Sequence, residues 1–135
     1  MQERFETFTV LINRISRDIR KIKNQEMAAY HLRSAHVSCL YYVYSLGSVT
    51  SAELCEHCEE DKATISRAAD YLETNGFLLR DTGAKRYKSP LLLTDKGREA
   101  GKRIAEKISG ILETISHALT ENERIEFYRC LSTIS

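Results

Sequence analysis

The chain has 135 residues, of which 42% are apolar and 29% charged, as expected for one globular domain. Its first residues lack the basic start and apolar core of a signal peptide, and no apolar run approaches the ~20 residues of a membrane span. We therefore expect a cytoplasmic protein whose four cysteines are reduced thiols, with no membrane partner. The net charge of +1 hides a basic block, since residues 62–103 carry a net charge of +5.

A long amphipathic helix is predicted over residues 5–23, because apolar side chains recur there at alternating spacings of three and four. The opposite face is rich in Arg and Lys. Such a stripe can pack into the chain's own core, and one this narrow and regular also suits a seam between two chains. The stripe consists of Phe5, Phe8, Ile12, Ile15, Ile19 and Ile22.

A second helix is predicted from Ser34, interpreted as its N-cap, to Gly47, interpreted as a left-handed C-cap. Residues 24–33 are predicted to form the connector between the first and second helices. The apolar positions of the second helix are Val37, Leu40, Tyr41, Val43 and Tyr44.

Two short helices joined by a polar turn are predicted next. Thr50 and Glu53 form a capping box at the start of the first, whose apolar side is Ala52, Leu54, Cys55 and Cys58. Asp61 is predicted to cap the second, which runs from Lys62 to Asn75. Its inward positions are Ile65, Ala68, Ala69 and Leu72, which leaves an outward face near the N-terminus: Lys62, Ala63, Thr64, Ser66 and Arg67.

A β-hairpin is predicted from residues 77–81 and 87–93 around a polar tip, with Pro90 restricting the second arm to a sheet edge. Thr94 then opens a long helix with the stripe Ile104, Ile108, Ile111 and Ile115. Thr120 and Glu123 form a further capping box. It begins a last helix whose inward positions are Phe127, Tyr128, Leu131 and Ile134.

This order predicts a mainly α fold with a small β-hairpin wing, in which a winged helix-turn-helix is flanked by long N- and C-terminal helices. We interpret residues 1–135 as a single domain. Residues 34–93 form its winged helix-turn-helix DNA-binding part, and residues 1–33 and 94–135 supply helices for dimerisation.

At these motifs the sequence resembles the MarR family of bacterial transcriptional regulators over nearly its whole length. The resemblance is carried by T-x-x-E-L at 50–54, D-K-A-T-I-S-R at 61–67, L-E-x-x-G-F at 72–77 and L-T-x-x-G at 93–97. It implies a homodimer whose two winged lobes bind successive major grooves of a pseudo-palindromic operator in double-stranded DNA. It also implies a repressor that releases DNA in response to a small molecule, an oxidant or a metal.

The chain departs from the family pattern in two places. The family wing usually carries Asp-x-Arg, where this chain has Lys85 and Tyr87 with Arg86 between them. The turn between the short helices usually holds a Gly and an apolar residue, where this chain has Glu59 and Glu60. These changes keep open an alternative function, a winged-helix module for protein–protein assembly that has lost DNA binding.

The outward face 62–67 is the predicted DNA-reading surface, since Arg can bond bidentately to guanine while Lys and hydroxyl groups reach bases or phosphates. The basic residues of the hairpin, Lys85, Arg86 and Lys88, are predicted to contact the minor groove or its phosphates. The simpler explanations are an ordinary capped surface helix and a solvated hairpin tip.

Cys55-Glu56-His57-Cys58 is a C-x-x-C motif with no second copy in the chain. We interpret its cysteines as small core side chains, with a redox or zinc site as the alternative. No histidine pair has metal-ligand spacing, so neither a metal nor another cofactor is predicted. No nucleophile stands beside a base and no Gly-rich phosphate loop is present, which argues against an enzyme.

In the family that the chain resembles, the effector crevice lies between the first, second and fifth helices. The resemblance therefore makes Met27, Tyr30, Tyr41 and Tyr44 candidates for a pocket that takes a small aromatic effector. Packing in the core or at the dimer interface is the simpler explanation of these side chains.

Overall fold

The computed structural model describes residues 2–58, 60–80 and 89–135, without the side chains of Phe5 and Ile115 from the predicted stripes. It confirms a mainly helical fold with a two-stranded antiparallel wing. The described elements are α1 (Gln2–Glu26), a 3₁₀ turn (Ala28–Tyr30), α2 (Ser34–Leu46), α3 (Ser51–Cys58), α4 (Lys62–Thr74), β1 (Leu78–Arg80), β2 (Leu91–Leu93), α5 (Asp95–Ala118) and α6 (Glu121–Ile134).

Helix α1 is 25 residues long and leaves its apolar stripe in solvent. Phe8, Ile12, Ile15 and Ile19 are 39–50% exposed, and only Ile22 is half-buried among the described side chains of the stripe. The core of the single chain therefore does not cover these residues. Nor does any described helix, α1 included, combine the length and the apolar character that a membrane crossing demands.

The start of α2 differs from the prediction by one residue, because Arg33 rather than Ser34 is its N-cap. The backbone N–H of Arg33 donates to Nδ1 of His36 at 3.0 Å. The N–H of Ser34, the first helical residue, donates to Oδ1 of Asn24 at 2.8 Å. The side chains of His36 and Asn24 therefore satisfy N–H groups at the start of the helix, a role that the sequence had assigned to Ser34. The connector is also shorter than predicted, since α1 continues to Glu26.

Helix α2 lies at the centre of the core, packed against α3, α4 and β2. The predicted end at Gly47 is confirmed; its φ of 89° requires glycine, although its ψ of −61° lies outside the left-handed helical region. Among the described residues, every buried apolar side chain falls between residues 27 and 104. The largest include Leu32, Leu40, Leu54, Ile65, Leu72, Phe77, Leu78 and Leu91.

The described strands are shorter than the predicted arms of the hairpin, and residues 81–88 lie outside the description. In the two-stranded sheet the second arm is an edge strand, as predicted, although its start also bridges to Val49. Strand β2 begins just after Pro90, and the N–H of Leu91 donates to the carbonyl of Val49 at 2.7 Å. Pro90 precedes the ladder and removes no hydrogen bond from it. The register is Leu78↔Leu93, Leu79↔Leu92 and Arg80↔Leu91.

The chain divides into two compact units, residues 1–104 and 105–135. In the second unit, the predicted capping box at the start of α6 is confirmed. The N–H of Thr120 donates to Oε1 of Glu123 at 2.9 Å, and the N–H of Glu123 donates to Oγ1 of Thr120 at 3.1 Å. Two of the donors that a helix N-terminus leaves unsatisfied are therefore paired by side chains.

The predicted inward face of α6 is wrong for the single chain. Phe127, Tyr128 and Ile134 are 41–64% exposed, and Leu131 is half-buried. Helical spacing correctly puts these residues on one side of the helix, but that side is largely exposed in the single chain.

Candidate nucleic-acid interface

Helix α4 begins at Lys62, and Asp61 is its N-cap as predicted. Oδ1 of Asp61 accepts a hydrogen bond from the N–H of Thr64 at 2.7 Å. Hydrogen bonds from Thr64, with a smaller contribution from the charge of Arg67, hold the pKa of the Asp61 carboxyl below its usual value. The carboxylate therefore stays ionised over the first turn, where it satisfies a free N–H and complements the helix dipole.

One face of α4 is anchored in the core. The predicted inward residues Ile65, Ala68, Ala69 and Leu72 are at most 3% exposed. On the first turns opposite them lies what we call the recognition face: Lys62, Ala63, Thr64, Ser66 and Arg67. Lys62, Ala63 and Arg67 are exposed, and Thr64 and Ser66 are half-buried. Two cations and two hydroxyl groups thus occupy the first turns of a fixed helix.

Helix α3 supports α4 across the turn, and it packs against both α2 and α4. The hydroxyl oxygen of Thr50 accepts a hydrogen bond from the N–H of Glu53 at 3.2 Å, and Leu54 is fully buried. Of the two turn glutamates, Glu60 is exposed and Glu59 lies outside the described residues. The helix-turn-helix is therefore fixed from both sides of the turn.

Arg80 in β1 ties the wing to α4, although the sequence analysis did not single it out. Its Nε donates to Oε2 of Glu73 at 2.6 Å, and its Nη2 donates to Oδ1 of Asp70 at 3.2 Å. The sequence puts the two acids on one side of α4 but does not reveal that the strand returns along it. The predicted wing contacts Lys85, Arg86 and Lys88 follow this anchor and lie outside the described residues.

The L-T-x-x-G motif joins the end of α4 to the start of α5. The Thr94 hydroxyl donates to the carbonyl of Gly76 at 2.6 Å and accepts from the N–H of Gly97 at 3.0 Å. A Cβ at Gly97 would lie 2.0 Å from the carbonyl oxygen of Phe77, so only glycine fits. The motif therefore positions the wing relative to α5.

The predicted effector residues have separate surroundings. Met27 is buried in the core. The three tyrosines are half-buried, each against a different neighbour: Tyr30 against Phe77, Tyr41 against Tyr42, and Tyr44 against Gly101.

An open pocket of about 560 Å³ lies beside the segment that contains Met27 and Tyr30. The hydroxyl of Tyr71, on α4, donates to the carbonyl of His31 at 2.7 Å, and its ring stacks on His36 at 4.3 Å. Burial, and secondarily the charge of Arg33, lower the pKa of His36, so that the imidazole is neutral and its Nδ1 accepts. The pocket is lined by Asn24, Ala28, His31, Leu32, Arg33, His36 and Tyr71.

The core interpretation of the C-x-x-C motif holds only in part, since Cys55 and Cys58 are half-buried while Cys39 is fully buried. Within the described ranges, no three His, Cys, Asp or Glu side chains gather as potential metal ligands.

No protein-family model matches the chain. A relative, the uncharacterised HTH-type transcriptional regulator YwoH of Bacillus subtilis, is 30% identical over 95 residues, which span 70% of this chain and 67% of the relative. The fold is similar to that of Staphylococcus aureus MepR in a complex with DNA, with a TM-score of 0.83, 17% identity and 94% of both chains covered. It is also similar to S. aureus MarR in complex with salicylate and kanamycin, with a TM-score of 0.81 and 16% identity over 98% of this chain and 88% of that one.

The relative found by sequence is a helix-turn-helix regulator, and the similar solved structures agree with it in fold. The regulator from B. subtilis is similar in sequence across two thirds of its length, and the two staphylococcal structures have a similar fold. A capped helix with an open, basic first turn suits such a regulator, and the predicted absence of an enzyme active site agrees with this assignment. The chain belongs to the MarR family of winged helix-turn-helix transcriptional regulators, which are DNA-binding proteins and not enzymes.

Proposed function

We propose that this protein is a homodimeric repressor that binds a pseudo-palindromic operator and releases it on a small-molecule or oxidative signal. The observation that carries the proposal is the recognition face, because a capped and anchored helix presents two cations and two hydroxyl groups on its first turns. An α-helix fits the major groove of B-DNA, and in helix-turn-helix proteins its N-terminal residues meet the base edges. A protein that acts on a bacterial chromosome works in the cytoplasm.

Each residue of the recognition face has a role that its chemistry suits. Arg67 is assigned bidentate bonding to guanine, which is worth about 1–3 kcal/mol of discrimination. Lys62 is assigned a phosphate, because the positive end of the helix dipole adds to its charge at that position. The hydroxyl groups of Thr64 and Ser66 suit bases or phosphates, and the methyl group of Ala63 suits the thymine methyl.

The wing supplies the second contact in this proposal. Lys85, Arg86 and Lys88 are assigned to the minor groove or its phosphates, as the charge of the segment suggests. The anchor of Arg80 on Asp70 and Glu73 supports the assignment, because it fixes the base of the wing against the helix that carries the recognition face.

Dimerisation is assigned to the terminal helices. Exposed apolar stripes of this regularity mark association surfaces in water. In α1 the stripe includes Phe8, Ile12, Ile15 and Ile19. Two copies held together there and at α6 would bring two recognition faces to half-sites about 34 Å apart, one turn of DNA or a multiple of it.

A small aromatic effector is proposed for the region of Met27, Tyr30, Tyr41 and Tyr44. A staphylococcal protein of the same fold has been solved with salicylate, which is such a molecule. The pocket beside this region reaches Tyr71 on α4, so a ligand there would contact the helix that carries the recognition face. Salicylate and other phenols should therefore raise the melting temperature, whereas cyclohexanecarboxylate, which has no aromatic ring, should not. An unchanged melting temperature across the phenols would overturn this part of the proposal.

The main test is a gel shift with the protein's own promoter fragment, comparing wild type with Arg67→Ala. The variant should abolish sequence-selective binding while chromatography still shows the dimer. Arg103→Ala is the matched control, because Arg103 is an exposed arginine that pairs with Glu99 on α5, a different helix from the one that carries the recognition face. Equal affinity of wild type and Arg67→Ala would sink the assignment of the helix.

A further inference from the structure

The hydroxyl and the ring of Tyr71 connect α4 to the segment that precedes α2. Tyr71 lies four positions after Arg67 of the recognition face. Its hydroxyl donates to the carbonyl of His31 at 2.7 Å, and its ring stacks on that of His36, with 4.3 Å between the centroids and 16° between the planes. One side chain of α4 thus contacts both the connector after α1 and the first turn of α2. We call this arrangement of Tyr71, His31 and His36 the latch.

The segment that Tyr71 holds has an unusual backbone at His31. This residue ends the 3₁₀ turn with a φ of 59° and a ψ of 34°, and among the described residues it alone combines a positive φ with a side chain. The left-handed region is unfavourable for any residue with a Cβ. The N–H of His31 donates to the carbonyl of Ala28 at 2.9 Å, and the next residue, Leu32, is 2% exposed. The hydrogen bond from Tyr71 therefore adds an outside restraint to a conformation that His31 does not favour by itself.

The other half of the latch requires a neutral imidazole at His36. Its Nδ1 accepts the N–H of Arg33 at 3.0 Å, and only an unprotonated nitrogen can accept. A proton on Nδ1 would turn two donors towards each other and break this hydrogen bond. It would also put a positive charge on the third residue of α2, where the helix dipole opposes a cation. Protonation of His36 therefore works against the position in which its ring meets Tyr71.

The groups around His36 offer no compensation for a positive charge. Tyr71 faces it from α4, His31 and Arg33 face it from the segment before α2, and α1 contributes the uncharged amide of Asn24. Among the described residues that line the adjoining pocket of about 560 Å³, none is acidic. Burial, and secondarily the charge of Arg33, lower the pKa of His36. The latch is therefore closed at neutral pH, and it opens as the pH falls through a value below the ordinary histidine pKa of about 6.5.

We propose that Tyr71 is a positioning residue for DNA binding, which holds α4 in place through His31 and His36, and that protonation of His36 opens this latch and weakens the complex with DNA. Tyr71 and Arg67 are one turn apart, about 6 Å along the helix axis, so a displacement of one is carried to the other. Bidentate bonding to a base depends on a fixed approach of the arginine. The effect on DNA rests on the proposed recognition face, whereas the latch itself does not.

The latch is tested without DNA by following the histidine ring signals of the intact protein by NMR between about pH 8 and pH 5, with His36→Asn to identify the signal of His36. In wild type the pKa of His36 should lie below about 6.5. Tyr71→Leu removes the stacked ring and should move this pKa upwards, because the imidazole becomes more hydrated. Tyr128→Leu makes the same change on α6 and should leave it where it is. An unchanged titration of His36 in Tyr71→Leu would overturn the latch.

The pH dependence of DNA binding is measured with the promoter fragment over the same range at constant ionic strength. Between pH 8 and pH 5 the affinity of wild type should fall by about 5-fold or more relative to that of His36→Asn, which keeps an acceptor but does not titrate. His117→Asn makes the same change at an exposed histidine in the last turn of α5 and should follow wild type. Parallel curves for wild type and His36→Asn would overturn the proposal.

The positioning role is measured at pH 8, where His36 is neutral in wild type. Tyr71→Phe loses only the hydroxyl that bonds to His31 and should bind the promoter fragment about 5-fold more weakly, the effect of one hydrogen bond. Equal affinity of wild type and Tyr71→Phe would overturn this role. If wild type does not bind the fragment at any pH, the proposed function fails, and the titration of His36 still decides the latch.

Discussion

Between Met27 and Ile104 the described chain buries most of its large apolar side chains, whereas α1 and α6 leave theirs in solvent. Leu40, Leu54 and Leu72 in the middle are fully buried, while Ile15 in α1 and Ile134 in α6 are at least half-exposed. Among the described residues of the middle, only Leu46, Leu79 and Leu92 are exposed large apolar side chains.

In the single chain, the middle covers its own large apolar side chains and the ends largely do not. The middle closes its core within one chain, so its stability should not depend on protein concentration. The stripe of α1 has helical regularity but no cover, and apolar area gains about 25 cal/mol per Å² only when it leaves water. In the proposed dimer a second copy covers the ends, so only the dimer would give them this stabilisation. Four variants test this difference.

The largest effect is expected from Ile15→Glu, in the centre of the exposed stripe of α1. A charge in the proposed seam should convert the dimer to monomer, because burying an unpaired carboxylate is costly. Binding to the promoter fragment should fall to the nonspecific level. Analytical ultracentrifugation measures the first effect and a gel shift the second. Asn13→Glu makes the same charge change on the opposite face of α1, and if it dissociates the dimer equally the seam is misplaced.

Leu72→Ala tests the middle. It removes a fully buried side chain of α4 and should lower the free energy of unfolding by about 2–5 kcal/mol at every protein concentration. Leu79→Ala, on the exposed side of β1, should change it by less than about 0.5 kcal/mol. Urea unfolding measures both variants. Similar losses in the two would mean that the middle is not the closed core described above.

Arg80→Ala tests the join between the wing and α4. The partly exposed acids Asp70 and Glu73 would lose their charged partner, at a cost of about 1 kcal/mol after allowance for solvent screening. Promoter affinity should fall as well, because the base of the wing loses its anchor. Arg103→Ala removes an exposed pair with Glu99 and should leave both quantities nearly unchanged. An Arg80 variant that behaves like this control would show that the anchor is unimportant.

The smallest effect concerns His36, which accepts the N–H of Arg33 and stacks on Tyr71. Its pKa is lowered in the folded protein, so the unfolded chain binds the proton more readily. The stabilisation is therefore complete above the unfolded pKa of about 6.5 and is lost as the pH falls through the lower folded value. Melting temperatures between about pH 8 and pH 5 should fall less steeply for His36→Asn, which keeps an acceptor but does not titrate. Parallel curves would contradict this.

The features that the sequence predicted correctly are local. The caps at Asp61 and Thr120 depend on residues three positions apart, and the inward positions of α4 follow from its period. Gly97 belongs to a motif that the family resemblance identified. The structure explains why this position is glycine, because the carbonyl of Phe77 leaves no room for a side chain.

The features that sequence reasoning missed depend on distant parts of the chain. The N-cap of α2 is Arg33 because Asn24, ten positions earlier, accepts the next N–H. The prediction that one side of α6 faces inward was wrong for the single chain. The helical period shows which residues share a side of a helix, but it does not show what covers that side.

The central claim is that the middle reads DNA while the ends bring two copies of it together. A hydroxyl-radical footprint on the promoter fragment tests both halves at once. We expect two protected half-sites whose centres lie one turn of DNA apart, about 10 base pairs, or a multiple of it. Arg67→Ala should lose both half-sites while remaining a dimer. A single protected half-site, or protection that survives Arg67→Ala, would contradict the account.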